Sequence, residues 1–130
     1  MNVLIDNNVS PRIARALNAL FTPEHQVIAL RDRFAAETSD TEWISALSGA
    51  GRWVVISGDR RITKNKAEYR AFRNSRLIGF FLAPGLYKAK VIKQAERILA
   101  LWERIESLGA TVEGGSDVRA PGQKQSRQAT

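Results

Sequence analysis

Three aspartates stand where short apolar runs stop or amphipathic segments begin: Asp6 in VLIDNN, Asp40 in TSDTEW and Asp59 in WVVISGDRRI. In an open α/β sheet, acids at the carboxyl ends of parallel strands converge from distant parts of the chain. There they suit a hard divalent cation such as Mg²⁺ or Mn²⁺, which prefers oxygen ligands and needs only a few carboxylates. Such an ion activates water, polarises a phosphoryl oxygen and stabilises a leaving alkoxide. The third acid runs into a basic stretch in which Arg60, Arg61, Lys64, Lys66, Arg70, Arg73 and Arg76 face the single acid Glu68. Phosphate-binding charge beside a metal site is what a nuclease requires. On this reading Asp6, Asp40 and Asp59 are the catalytic metal ligands. Arg60 or Arg61 neutralises charge developing on the phosphate. Lys64, Lys66, Arg70 and Arg73 hold the flanking backbone, and Asn8 and Asn65 add hydrogen bonds to water or phosphate.

Each residue also has a structural reading. Asp6 fits a cap on the turn before Ser10, and Asp59 in Ser57-Gly58-Asp59 fits a turn or a helix cap. Ser39-Asp40-Thr41-Glu42 has the spacing of a capping box, in which Ser39 caps a helix, Glu42 reaches back and Asp40 is a favourable first-turn acid. Lys66, Arg70 and Arg73 share one side of a helix, either as a phosphate-binding stripe or as an ordinary solvated face. His25 reads as structural, and Trp43, Trp53 and Trp102 as core.

The elements that must position these groups alternate. Asn2–Ile5 reads as a strand, and Ser10-Pro11 as the cap and first position of a helix with Ile13, Ala16, Leu17, Leu20 and Phe21 on its buried face. His25–Leu30 reads as a second strand, 31–39 as a loop, and 40–50 as a helix with Trp43, Ile44 and Leu47 inward. The apolar run Trp53–Ile56 is typical of a strand covered on both faces. A basic helix over 65–74, a buried strand over 77–82 and a helix over 89–107, with Val91, Ile92, Ala95, Ile98, Leu99, Trp102 and Ile105 inward, complete the series. Such alternation implies right-handed βαβ units and a mainly parallel sheet between helical layers, an α/β fold. Residues 108–130, rich in Gly, Ser, Gln and Pro, read as a weakly ordered tail after a single domain over 1–107.

At 130 residues and 44% hydrophobic, the chain suits one self-sufficient core, and its net charge of +7 favours a polyanionic partner. The absence of cysteine excludes disulfides and thiolate chemistry. No signal-peptide-like stretch or membrane-length apolar run is evident, and a soluble cytoplasmic protein is expected. Neither GxGxxG nor GxxxxGK[ST] occurs, which argues against a dinucleotide or P-loop fold. Asn8 in place of a second acid argues against an Asp-x-Asp phosphotransferase.

The segments LIDNNVSPRIARAL, HQVIALRDRF with SDTEW, VVISGDRRI and GFFLAP, in this order and spacing, resemble the PIN-like domains, in particular the compact VapC-type toxins of toxin–antitoxin pairs. The resemblance spans roughly residues 3 to 106. It implies a three-layer α/β/α sandwich and a metal-dependent ribonuclease, often dimeric and silenced by a cognate antitoxin, whose cleavage leaves a 5′-phosphate. Asp6, Asp40 and Asp59 match the family's acids. Asn7 stands where related compact domains often carry Glu, and for a further metal-binding carboxylate that larger members bring from a helical segment the nearest substitute is Glu42. A non-catalytic RNA- or partner-binding module is the alternative expectation.

Overall fold

The computed structural model describes residues 1–58, 65–112 and 114–120. Five strands, β1 (Asn2–Ile5), β2 (Gln26–Ala29), β3 (Val54–Ser57), β4 (Ile78–Phe81) and β5 (Asp117–Arg119), form one sheet in the order β2-β1-β3-β4-β5. All four pairings are parallel. The expected α/β sandwich is therefore present, with a wholly parallel sheet among the described residues.

Side chains alternate between the two faces of each strand, and the core divides accordingly. Val3, Ile5, Val54, Ile56, Ile78 and Phe80 point to one side, where they meet α1 (Pro11–Phe21), α5 (Val91–Ala100) and α6 (Trp102–Thr111). Leu4 and Val55 point to the other, where Leu30 of α2 (Leu30–Arg33), Trp43, Ile44 and Leu47 of α3 (Asp40–Gly49) and Phe72 of α4 (Lys66–Arg73) cover them. Two buried faces explain why β3 and β4 are apolar without alternation.

Local signals mark the starts of α1 and α3. Ser10 Oγ accepts the Arg12 N–H at 3.2 Å, with Pro11 in the first turn of α1. The capping box of α3 is complete: Ser39 Oγ accepts the Glu42 N–H at 3.2 Å, and Glu42 Oε1 accepts the Ser39 N–H at 2.8 Å.

Four differences from the sequence reading have physical causes. The expected loop over 31–39 begins with the single turn α2, which buries Leu30 at 6% exposure. The long helix over 89–107 is two helices, broken at Leu101, so that the consecutive residues Leu101 and Trp102 both turn inward. Leu20, Val91, Ile92 and Leu99, expected inside, lie on the outer side of α1 and α5. Finally, the three connections from β1 to β4 share one hand, but the fourth crosses the α1 face to reach the far edge and so has the opposite hand. The α3 and α4 layer already covers the other face beside β3 and β4.

Within the expected tail, the described residues 108–112 and 114–120 carry regular structure. Helix α6 runs to Thr111, and β5 pairs with β4 through Gly79↔Asp117, Phe80↔Val118 and Phe81↔Arg119. The Arg52 guanidinium donates to Gly109 O at 3.0 and 2.7 Å and also to Val112 O. The glycines that suggested disorder permit close passage instead. Gly115 has φ 86°, and a Cβ there would stand 2.3 Å from Arg73 O. Residues 121–130 lie outside the described residues.

If this segment is part of the fold, Gly115→Ala should cost roughly 1–3 kcal/mol, from positive φ and overpacking together. Urea denaturation checks it; a midpoint unchanged from the parent would return the segment to tail status.

Candidate functional site

The strand order reverses between β1 and β3: the chain leaves β1 toward β2 on one side and returns to β3 on the other. At such a switch point the connections diverge and leave a crevice beyond the carboxyl ends of the strands. Asp6 follows β1 directly, its backbone N–H still donating to Ile56 O at 2.9 Å. Asp6 is two residues past Leu4, and Ser57 two past Val55, so both point to the side covered by α3 and α4.

There they meet. Ser57 Oγ donates to Asp6 Oδ2 at 3.0 Å, and Asp6 Oδ1 accepts the Asn7 N–H at 2.7 Å. Asn8 joins the same cluster, with Nδ2 donating to Ser57 Oγ at 3.3 Å and Oδ1 accepting the Gly58 N–H at 2.9 Å. Ser57 is fully buried. Its role escaped the sequence reading; the available signal was a single hydroxyl closing an otherwise apolar run.

Asp40 opens α3 on the same side of the sheet, where the positive end of the helix dipole favours a carboxylate. Its Oδ1 accepts the indole N–H of Trp43 at 2.8 Å, and Trp43 is 1% exposed. A rigid core ring thus orients the acid. Asn7 and Asp40 line one cleft of about 270 Å³, together with Arg31, Phe34, Thr38 and Trp43. Arg31 is the second residue that sequence reasoning missed. It belonged to a segment read as a loop of mixed charge, and only the turn of α2 carries it to this wall.

Asp6 and Asp40 each offer a carboxylate, the ligand type a hard divalent cation takes, and Asn7 and Asp40 line the same cleft, whereas Asp6 does not. Magnesium commonly takes only one or two protein carboxylates and completes its shell with water and substrate. Among the described residues no group of three acidic or imidazole side chains stands close enough to hold a metal. Asp59, the third expected ligand, and Arg60, Arg61 and Lys64 lie outside the described residues.

Other expected site residues have local duties. Glu42 completes the capping box, and the Ser39 backbone N–H, followed by its hydroxyl, holds the Glu42 carboxyl below its ordinary pKa. That bond explains the residue without a metal. Asn65 is the N-cap of α4, its Oδ1 accepting the Glu68 N–H at 3.1 Å. Lys66, Arg70 and Arg73 are exposed on α4. Arg73 donates to Tyr69 Oη at 3.2 Å and lies 5.7 Å from the centre of its ring. His25 pairs through Nε2 with Glu106 at 2.6 Å and sets its ring against Phe21 and Trp102, a structural position as expected. No helix among the described residues is long and apolar enough to cross a membrane.

Comparison with known proteins adds one match: a family model described as "PIN like domain" covers residues 1–84. No curated protein and no solved structure matches the chain.

The depressed pKa of Glu42 fixes the sign of a pH effect. The box stabilises α3 above the ordinary glutamate range, and this contribution is lost as pH falls through and below that range. Glu42→Gln keeps an acceptor for the Ser39 N–H, so its melting temperature should fall less steeply with acidification than the parent's. Identical slopes in a pH series of thermal melts would remove Glu42 from this role.

Proposed function

The chain belongs to the PIN-like domain family, and on that premise we propose that it is a metal-dependent ribonuclease, the toxin of a type II toxin–antitoxin pair. One observation carries the reading. Asp6 and Asp40 come from distant parts of the chain to the same side of the sheet, at its switch point, where an arginine-walled cleft opens beside Asp40. A bound Mg²⁺ or Mn²⁺ would supply Lewis-acid activation of water and charge neutralisation at the phosphate.

The protein's own groups do the positioning. Ser57 and the Asn7 N–H fix both oxygens of the Asp6 carboxylate, and Trp43 fixes Asp40, so two metal-binding carboxylates are preorganised. Arg31 in the cleft wall takes up phosphate charge. Lys66 and Arg70 on the exposed side of α4 hold flanking phosphates, with Arg60, Arg61 and Lys64 contributing from the preceding segment. Asp59 is the third ligand in this scheme. RNA cut in this way leaves a 5′-phosphate and a 3′-hydroxyl. A cognate antitoxin protein as partner, a homodimer and a cytoplasmic location belong to the same proposal.

A second reading, a non-catalytic RNA- or partner-binding domain, draws on Asn7, which stands where related compact domains often carry Glu. One assay separates the two. Purified protein is incubated with a mixed small-RNA pool in Mn²⁺, in Mg²⁺ and in excess chelator. Cleavage should require the metal and drop on the order of 10²-fold or more in Asp6→Asn and in Asp40→Asn, with RNA binding retained. Trp43→Phe keeps the core ring but deletes the indole donor, and should slow cleavage by roughly tenfold. RNA binding without cleavage under every metal condition would establish the non-catalytic reading.

A further inference from the structure

The cleft beside Asp40 holds more than a metal carboxylate needs. It has a volume of about 270 Å³ and is lined from the turn after β1, from α2 and the link that follows it, and from the start of α3. Its apolar lining includes the buried Leu30 and Trp43, and Phe34, which packs on the core while bordering the cleft. Its polar lining is Asn7, Arg31, Thr38 and Asp40. Asp40 accepts the Trp43 indole N–H. Among the described residues, no hydrogen bond or ion pair engages the side chains of Asn7, Arg31 and Thr38. The acid next to Arg31, Asp32, is held through both carboxylate oxygens by Arg15, at 3.1 and 2.9 Å, so its charge is already matched by another cation.

Size and lining together describe an occupant. Pockets for drug-sized ligands run from roughly 300 to 1,000 Å³, so this cleft suits one flat ring system. An unpaired nucleobase presents a π face to an aromatic ring and a hydrogen-bonding edge to polar groups around it. Phe34 supplies the ring, because Trp43, the other aromatic residue in the lining, is 1% exposed and its N–H is committed to Asp40. Asn7 supplies the reader: a carboxamide carries donors and an acceptor side by side and so distinguishes one base edge from another. Arg31 adds positive charge for an adjoining phosphate. Asp40 links the cleft to the chemistry. A base hangs one sugar away from its phosphate, so RNA with its scissile phosphate near Asp40 brings a neighbouring base to the cleft. We propose that this cleft is a nucleobase pocket that takes one unpaired base beside the scissile phosphate, stacks it on Phe34 and selects it through Asn7. Its role rests on the ribonuclease reading, to which it adds a base preference at one position next to the cut and a single-stranded substrate there.

Binding is measured apart from cleavage, by fluorescence anisotropy of labelled RNA pentamers titrated with the full chain in excess chelator. Four pentamers are abasic except for A, C, G or U at the centre, and a fifth is abasic throughout. The central base should tighten binding by roughly tenfold over the fully abasic pentamer. The best base should bind at least about fivefold more tightly than the worst. Phe34→Leu keeps apolar volume against the core and should abolish the gain from the base. Asn7→Ala should keep most of that gain and erase the differences among bases. Arg31→Ala should weaken all five pentamers by a common factor. Asn7 is exposed, so its variant should melt with the parent and decides the matter even if Phe34→Leu does not fold. The mononucleotide of the preferred base lacks flanking phosphates and should bind at least about tenfold more weakly than its pentamer. No binding, equal binding with and without a base, or a base-dependent gain and preference indifferent to both substitutions would overturn the proposal. A mononucleotide that binds as tightly as its pentamer would also overturn it, because the cleft would then serve a free nucleotide. The two readings fail separately: metal-dependent cleavage without any gain from the base removes the pocket and keeps the nuclease, whereas base-selective binding without cleavage keeps the pocket and removes the nuclease.

Discussion

The pairing of β1 with β3 is the contact on which both helical layers and the crevice depend. Because β1 lies between β2 and β3, the chain must leave it over one face and come back over the other, so covering helices accumulate on both sides. The same pairing ends in a buried hydroxyl. Ser57 has no access to water, and leaving it unsatisfied would cost about 1–3 kcal/mol. Asp6 and Asn8 satisfy it from the neighbouring strand end. The polar groups at the mouth of the sheet are thus fixed by the same requirement that closes the core.

The two layers solve their packing differently. On the α3 and α4 side, bulky residues such as Trp43 and Phe72 fill the space above Leu4 and Val55, and the Arg33 guanidinium lies 5.1 Å from the Trp53 ring. On the other side, the stacked rings of Phe21 and Trp102, 4.4 Å apart, close one end. Aliphatic side chains remain outside between α1 and α5. One layer is consumed by folding and presents the site at its edge; the other keeps apolar surface in reserve.

Much of this architecture was legible because the signals were local. Ser10-Pro11 and the Ser39–Glu42 box mark helix starts by chemistry that acts within one turn. The apolar runs of β3 and β4 announce burial on two faces. What escaped depends on tertiary neighbours. Helical periodicity predicts that Leu20 and Ile92 belong to an apolar face, but not whether another element covers it. The break at Leu101 is set by the shape of the core and has no Gly or Pro to mark it. Strand β5 offers three residues in a glycine-rich setting, too short for any alternation to register. For the site, Asp6 and Asp40 were visible as types at strand and helix ends, whereas Ser57 and Arg31 acquire meaning only through the residues folded against them.

Among the described residues the sheet ends in two very short edges. Strand β2 has four residues and β5 three, and β5 places the opposite charges Asp117 and Arg119 at its two ends. An open edge is a template for another chain's backbone, and its reach scales with the length of its unpaired ladder. Here the ladder stops after a few residues, and the outermost strand is framed by an acid and a base. An intruding strand gains few bonds and must lie against both charges. The sheet therefore resists growth by strand addition, even though its interior strands are among the most apolar stretches of the chain and would be prone to cross-β stacking if laid bare.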